Sequence, residues 1–253
     1  MIEVNIVGQL GNQLFEYACA RQLQEKYGGK ICLNTYEMQQ NTPNFRLALL
    51  DFNLNENVEV ISERPLKEAN ADNYSVKILR KFFPDLYFNI MAKKGVFVWK
   101  SARIYKPLPL LNEKLQKRIV LNGYWQSEKY FRHCEDDIRK QFTFLPFDEL
   151  KNIEVAAKMS QENSVAIHLR KGDDYMQSEL MGKGLCTVDY YMKAIDYMRK
   201  HINNPHFYVF TDNPCWVKDN LPEFEYMLVD WNEVSGKRNF RDMQLMSCAK
   251  HNI

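Results

Sequence analysis

Short apolar runs alternate with longer stretches of helical period along most of this chain. The opening "EVNIVG" places Val4, Ile6 and Val7 in a strand, and "GQLGN" follows as a glycine-punctuated turn. In "NQLFEYACARQLQEKYG", Phe15, Ala18, Cys19, Leu23 and Tyr27 recur at helical spacing. Asn12 is the predicted N-cap of that helix and Gly28-Gly29 its stop, after which "KICLN" resumes a strand. From about Ser62 to Pro107 the pattern is mostly helical, with breaks at Pro65, Pro84 and Gly95. "RIVLNGYWQSEKYF" (118–131) restores a strand, then a loop and a helix. Residues 142–148 read as a linker.

Beyond the linker the same alternation resumes. A helix (149–162) leads to the strand "SVAIHL", a helix (188–201) to "HFYVFTD", and a short helix to "YMLVD". An amphipathic stretch from Asn239 and the strand-like "HNI" close the chain. Strands alternating with helices predict an α/β protein of two Rossmann-like units with parallel sheets, divided near residue 147.

Composition adds boundaries to that picture. The 253 residues suffice for one large core or two smaller ones, and 45% hydrophobic with 26% charged is ordinary for a globular protein. A net charge of +2 does not suggest a nucleic-acid partner. No apolar run approaches the ~18 residues of a membrane span. The start "MIEVNIVGQLG" lacks the parts of a signal peptide, so a cytoplasmic location is expected. The six cysteines show no Cys-x-x-Cys spacing and are expected to be buried small hydrophobes.

Two stretches carry candidate chemistry. "VAIHLRKGDDY" (165–175) ends a buried strand with Arg170 and Lys171, then Gly172, Asp173 and Asp174. Ligands in open α/β sheets sit beyond the carboxyl ends of strands, where this stretch and "FTDN" (210–213) both lie. Arg170 offers a planar fork suited to phosphate, and Lys171 a second cation. Asp173 could orient Arg170 or accept from a ligand. A surface salt-bridge cluster is the competing reading. "GQLGNQLF" places Gly8 and Gly11 before a helix, which could cradle a phosphate or simply make a tight turn. No Asp-x-Asp is present, so no metal is expected, and a bound diphosphate would need basic side chains and helix dipoles.

Five segments, in order, add a resemblance. Gly8, Gly11, Asn12, Gln13, Leu14, Phe15, Tyr17 and Ala18 match a Gly-x-x-Gly-Asn-Gln-Leu-Phe-x-Tyr-Ala motif. Gly123, Tyr124, Trp125, Gln126, Ser127, Tyr130 and Phe131 match a second. His168, Arg170, Gly172 and Asp173 match His-x-Arg-Arg-Gly-Asp-Tyr, with Lys171 in place of the second arginine and Asp174 inserted before Tyr175. Phe210, Thr211, Asp212, Asn213 and Trp216 match a fourth, and Asp242, Leu245, Met246, Ser247, Lys250 and His251 a fifth. Together they resemble the α-1,2-fucosyltransferases of glycosyltransferase family 11.

That resemblance implies a GT-B fold whose two units face a cleft, with residues 1–147 on the acceptor side and 148–253 holding the donor. It also implies GDP-β-L-fucose as donor, inversion at the anomeric carbon, a bond to the 2-OH of a terminal galactose in a glycan, and no metal. Arg170 and Asp173 would be catalytic. His168, Arg170, Lys171, Gly172, Asp212, Asn213 and His251 would bind donor, as would Gly8, Gly11, Asn12 and Gln13. The general base for the galactose 2-OH is not singled out among Asp173, Asp174 and Glu179. Two alternatives stand beside this reading: a metal-independent transferase with another nucleotide-sugar donor, and a non-catalytic nucleotide- or glycan-binding relative.

Two features lie outside the motifs. The pattern of the family continues past the His-Asn-Ile segment, so the second unit is expected to be incomplete in this chain. Val76 to Pro107 carries eight lysines and arginines against Asp85 alone, a net of +7 that leaves −5 for the remainder. Seven aromatics are interleaved with those charges. A face that approaches an anionic membrane is one expectation; a helical subdomain with buried aromatics and solvated lysines is the other.

Overall fold

A computed structural model describes residues 1–42, 45–65, 74–93, 95–100, 104–107, 118–172, 186–233 and 240–253. The chain forms two compact units, Met1–Leu145 and Pro146–Ile253. The first runs β1 (Ile2–Asn5), α1 (Leu10–Tyr27), β2 (Ile31–Asn34), α2 (Tyr36–Asn41), β3 (Val58–Ile61), α3 (Tyr74–Phe82) and α4 (Pro84–Lys93). It continues through β4 (Val96–Lys100), β5 (Arg118–Asn122) and α5 (Glu135–Gln141). Its sheet has the order β3-β2-β1-β5-β4, with every neighbouring pair parallel.

The second unit runs α6 (Leu150–Gln161), β6 (Asn163–Leu169), α7 (Val188–His201), β7 (Pro205–Thr211) and α8 (Pro214–Asn220). It ends with β8 (Met227–Val229), α9 (Arg241–Ser247) and β9 (His251–Asn252). The order is β8-β7-β6-β9, again parallel throughout. Both sheets therefore have a switch point. Strands build outward from β1 through β2 to β3, then β5 pairs on the other side of β1. In the second unit β7 and β8 lie on one side of β6 and β9 on the other. In open α/β sheets ligands bind beyond the carboxyl ends of strands at such points, which in this chain are the ends of β1 and β6.

Apolar burial accounts for the central strands. Ile2, Val4 and Ile6 pack with Tyr17, Cys19 and Leu23 of α1, and with Ile31, Leu33, Ile119 and Leu121 of the flanking strands. In the second unit Val165, Ile167 and Leu169 pack with Tyr191 and Ile195 of α7, while Ala166, Tyr208 and Phe210 face Val155 and Met159 of α6.

Several local expectations are corrected. α1 begins at Leu10 with Gln9 as its N-cap, so Asn12 and Gly11 lie inside the helix. The segment 62–107 is not wholly helical, because the β-branched and aromatic run Val96–Lys100 pairs with β5 at the sheet edge. After β5 two short 3₁₀ turns precede α5, where one helix was expected. Of the cysteines, Cys19, Cys32 and Cys134 are buried, whereas Cys186 and Cys215 are exposed.

Buried polar groups brace the first unit where alternation alone reads as solvent-facing. Glu3 on β1 is buried, accepts from Arg118 Nε at 2.6 Å and from Asn34 Nδ2 at 3.0 Å. Glu16 on α1 is also buried and accepts from the Val7 N–H through both oxygens, at 3.3 and 3.2 Å. Burial pushes its carboxyl up to about 9, with the Val7 bond acting in the opposite direction. The folded state thus keeps a proton that an unfolded Glu16 gives up near its ordinary value of 4.5. Its contribution to stability is fully present below about 4.5 and is lost as pH rises through about 9. The Glu16→Gln variant removes this dependence. Its melting temperature relative to the wild type should climb steadily between those pH values, and parallel pH profiles would show that Glu16 is buried as a carboxylate.

Candidate functional site

The carboxyl ends of β6 and β7 are joined by one acidic side chain. Asp212 follows β7 and is nearly buried. Its Oδ1 accepts the backbone N–H of Lys171 at 2.7 Å, and its Oδ2 lies 2.9 Å from Arg170 Nε. Asn213 adds a second clasp: its Nδ2 donates to the Lys171 carbonyl at 3.1 Å, while its Oδ1 caps α8 through the Trp216 N–H at 3.0 Å. The turn leaving β6 is therefore fixed by the two residues leaving β7. Arg170 is paired with Asp212 through Nε, and 37% of its side chain is exposed.

Lys171 has a different environment from the one expected of a second donor cation. It is 5% exposed, donates from Nζ to the Cys186 carbonyl at 2.8 Å, and lies 4.7 Å from the centre of the Trp216 ring. The side chain thus ties the β6 turn to the residues just before α7. Tyr191 of α7 strengthens that tie by donating its hydroxyl to the His168 carbonyl at 3.0 Å. Adjacent side chains at the strand end have diverged: Arg170 toward solvent, Lys171 inward.

His168 lies on the exposed side of β6. Neighbouring atoms nevertheless desolvate its ring and lower its pKa; Asp212 pulls the other way and Arg170 adds to the lowering. Its imidazole is a neutral hydrogen-bonding group near neutral pH. His251 lies in β9, paired beside Val165. Gly172 is the last described residue of the turn; Asp173, Asp174 and Glu179 lie outside the described residues.

The first unit carries a second set of motif residues at the ends of β1 and β5. Gly8 has φ +80°, where any side chain is strained, and a Cβ there would also fall 2.1 Å from Asn12 Nδ2 and displace that amide. At Gly11 a Cβ would meet nothing within 4 Å. Gln13 is buried, donating to the carbonyls of Gly8 and Arg46 and accepting from the Leu49 N–H at 3.1 Å. It shapes the loop from within. Asn12 Oδ1 accepts from Gln126 Nε2 at 2.8 Å, which joins the first turn of α1 to the loop after β5. Trp125, beside Gln126, is buried with φ 51°, an unusual conformation for a bulky residue that costs of order 1–3 kcal/mol. Among the described residues no three His, Cys, Asp or Glu side chains converge on a point that would hold a metal ion.

Sequence reasoning missed Tyr191, Cys186 and the buried role of Lys171. Only the ring of Trp216 had a signal, since it follows "FTDN" in the fourth motif.

Two parallel α/β units, each with a switch point in its sheet, match the GT-B type of fold. The profile of Glycosyl transferase family 11 matches residues 1–253, and the chain belongs to that family. An alpha-1,2-colitosyltransferase of Escherichia coli is 29% identical over 100% of this chain and 83% of its own length. The galactoside 2-alpha-L-fucosyltransferase SEC1 of Bos taurus is 22% identical over 99% of this chain and 60% of its own. Among solved structures, the fucosyltransferase NodZ from Bradyrhizobium has a TM-score of 0.50 at 14% identity, covering 99% of this chain and 87% of NodZ. NodZ co-crystallized with GDP gives the same score at 13% identity, over 99% of this chain and 86% of NodZ. The likeness to NodZ is one of fold.

The inward setting of Lys171 has a measurable consequence. Lys171→Met keeps the length but leaves the Cys186 carbonyl without its donor, which should lower stability by about 1–3 kcal/mol in denaturant unfolding. A variant that melts like the wild type yet binds GDP more weakly and with less salt dependence would show that the ammonium faces the donor instead.

Proposed function

We propose that this protein is an inverting fucosyltransferase that moves L-fucose from GDP-β-L-fucose to the 2-OH of a terminal galactose in a glycan. The observation that carries this reading is Arg170, fixed at Nε by Asp212 at the switch point of the second unit with its side chain partly exposed. A diphosphate seated beyond β6 would meet that guanidinium. As the bond from fucose C1 to the β-phosphate breaks, charge grows on departing GDP and Arg170 stabilises it. The galactose O2 bonds to C1 from the opposite face, and its proton passes to a base. Asp173 is proposed as the second catalytic group.

His168, Gly172, Asp212, Asn213 and His251 are proposed to complete the donor site. His168 serves as a neutral hydrogen-bonding group, and Asp212 and Asn213 hold the turn in shape. Lys171 contributes through the same turn. In the first unit Gly8, Gly11, Asn12 and Gln13 are proposed to shape the loop that meets substrate. No metal is required in this reading, because the arginine and backbone N–H groups meet the phosphate charge. The activity is proposed for the cytoplasm.

A second reading keeps the fold and site but changes the sugar. The whole-chain similarity to the E. coli alpha-1,2-colitosyltransferase favours a colitosyl donor. GDP release, measured with GDP-fucose, GDP-mannose and a nucleotide-activated colitosyl donor against a panel of β-galactosides, separates the two. The fucosyl reading expects acceptor-stimulated release from GDP-fucose alone. Release from the colitosyl donor alone would move the assignment, and binding without turnover would make the chain a non-catalytic relative.

The contact to Arg170 should strengthen as the fucosyl bond breaks, so its loss falls on turnover more than on donor affinity. Arg170→Ala should lower kcat by about 10²-fold or more, on the order of 3 kcal/mol. Arg170→Lys should recover only part, since a point charge lacks the two-pronged geometry. Near-normal kcat in a folded Arg170→Ala variant would remove the arginine from the mechanism.

A further inference from the structure

The segment that joins strong positive charge to aromatics divides its apolar residues between two faces. Val76 and Leu79 of α3 pack against Tyr87, Met91, Val98 and Val120, which settles one edge of the helix in the core of the first unit. Tyr74, Ile78 and Phe82 lie four residues apart along a second edge, and all three face solvent. Tyr74 is 76% exposed and Phe82 62%. Phe83, just before α4, and Leu86 within it are also exposed, at 57% and 51%. A helix with a buried edge does not need a second apolar edge to fold. Monomeric proteins rarely leave large apolar side chains clustered in water without a use for them.

Charge identifies what covers this face. Helical spacing puts Lys77 and Lys81 along one border of the exposed stripe, and the Lys81 ammonium lies 5.2 Å from the centre of the Phe82 ring. Val76 to Pro107 has a net of +7 within a chain whose total is +2. A second copy of the chain would bring two such segments together and repel. An anionic bilayer meets both features: aromatic and aliphatic side chains enter the headgroup boundary while flanking lysines reach lipid phosphates. Among the described residues no helix is long and apolar enough to cross a membrane, so the contact is peripheral.

We propose that Tyr74, Ile78, Phe82, Phe83 and Leu86, bordered by Lys77 and Lys81, form a docking surface for an anionic phospholipid bilayer. The first unit lies flat on the lipid through α3 and the start of α4. This inference does not depend on which sugar the protein transfers.

Co-sedimentation of the full chain with vesicles tests it. The protein should bind phosphatidylcholine vesicles containing phosphatidylglycerol, bind pure phosphatidylcholine weakly, and lose most binding in about 0.5 M salt. Phe82→Ser/Phe83→Ser and Lys77→Glu/Lys81→Glu should each lower partitioning by about 10-fold or more, with melting temperature and GDP binding unchanged. Two independent variants keep the result interpretable should one fail to fold. Equal binding to neutral and anionic vesicles, or wild-type partitioning in both variants, would overturn the proposal. So would a concentration-dependent dimer that Phe82→Ser/Phe83→Ser abolishes, since the face would then be covered by a second copy.

Discussion

Asp212 is the point on which the second unit turns. One carboxylate receives the Lys171 N–H and the Arg170 guanidinium, and so decides where the chain goes after β6. An arginine on a mobile turn would spend its interaction with phosphate on ordering itself. Paired with a nearly buried carboxylate, Arg170 is oriented in advance, as the proposed stabilisation of a developing charge requires. Asn213, Lys171 and Tyr191 add hydrogen bonds that tie β7, α8 and α7 to the same turn.

The first unit uses the same device with neutral groups. The chain leaving β1 is held by Gln13 from beneath, by Glu16 on the Val7 N–H and by the amide pair Asn12–Gln126. These groups carry no charge to neutralise, since burial keeps Glu16 protonated near neutral pH. A polar cluster can be buried at modest cost when each member has a hydrogen-bond partner. The contrast between units is one of charge: an arginine at the end of β6, amides and a neutral acid at the end of β1.

Much of this was written in local patterns. The parallel α/β character follows from buried runs such as "SVAIHL" and "HFYVFTD" separated by helical stretches, because period and length are properties of neighbours in the chain. The glycine at position 8, the cations after β6 and "FTDN" after β7 were visible for the same reason. So was the excess of positive charge and aromatics around residues 76–107. The edge strands β3 and β4 were not: β3 has no fully buried residue to mark it, and β4 lies inside a stretch whose breaks and helix formers dominate the pattern.

What stayed hidden depends on contacts between residues far apart in sequence. Lys171 looked like a second phosphate ligand because its neighbour is an arginine, and only the arrival of the Cys186 carbonyl and the Trp216 ring turns it inward. Glu3 reads as a solvent-facing position by alternation, yet Arg118, more than a hundred residues later, makes its burial tolerable. Likewise no pattern in α3 separates the edge that Tyr87 and Met91 cover from the edge left in water. The amino-acid order sets which segments are strands, helices and charged turns through local periodicity. Whether a given charge is a ligand or a brace is decided by long-range neighbours, since desolvation and hydrogen-bond partners exist only once the chain has packed.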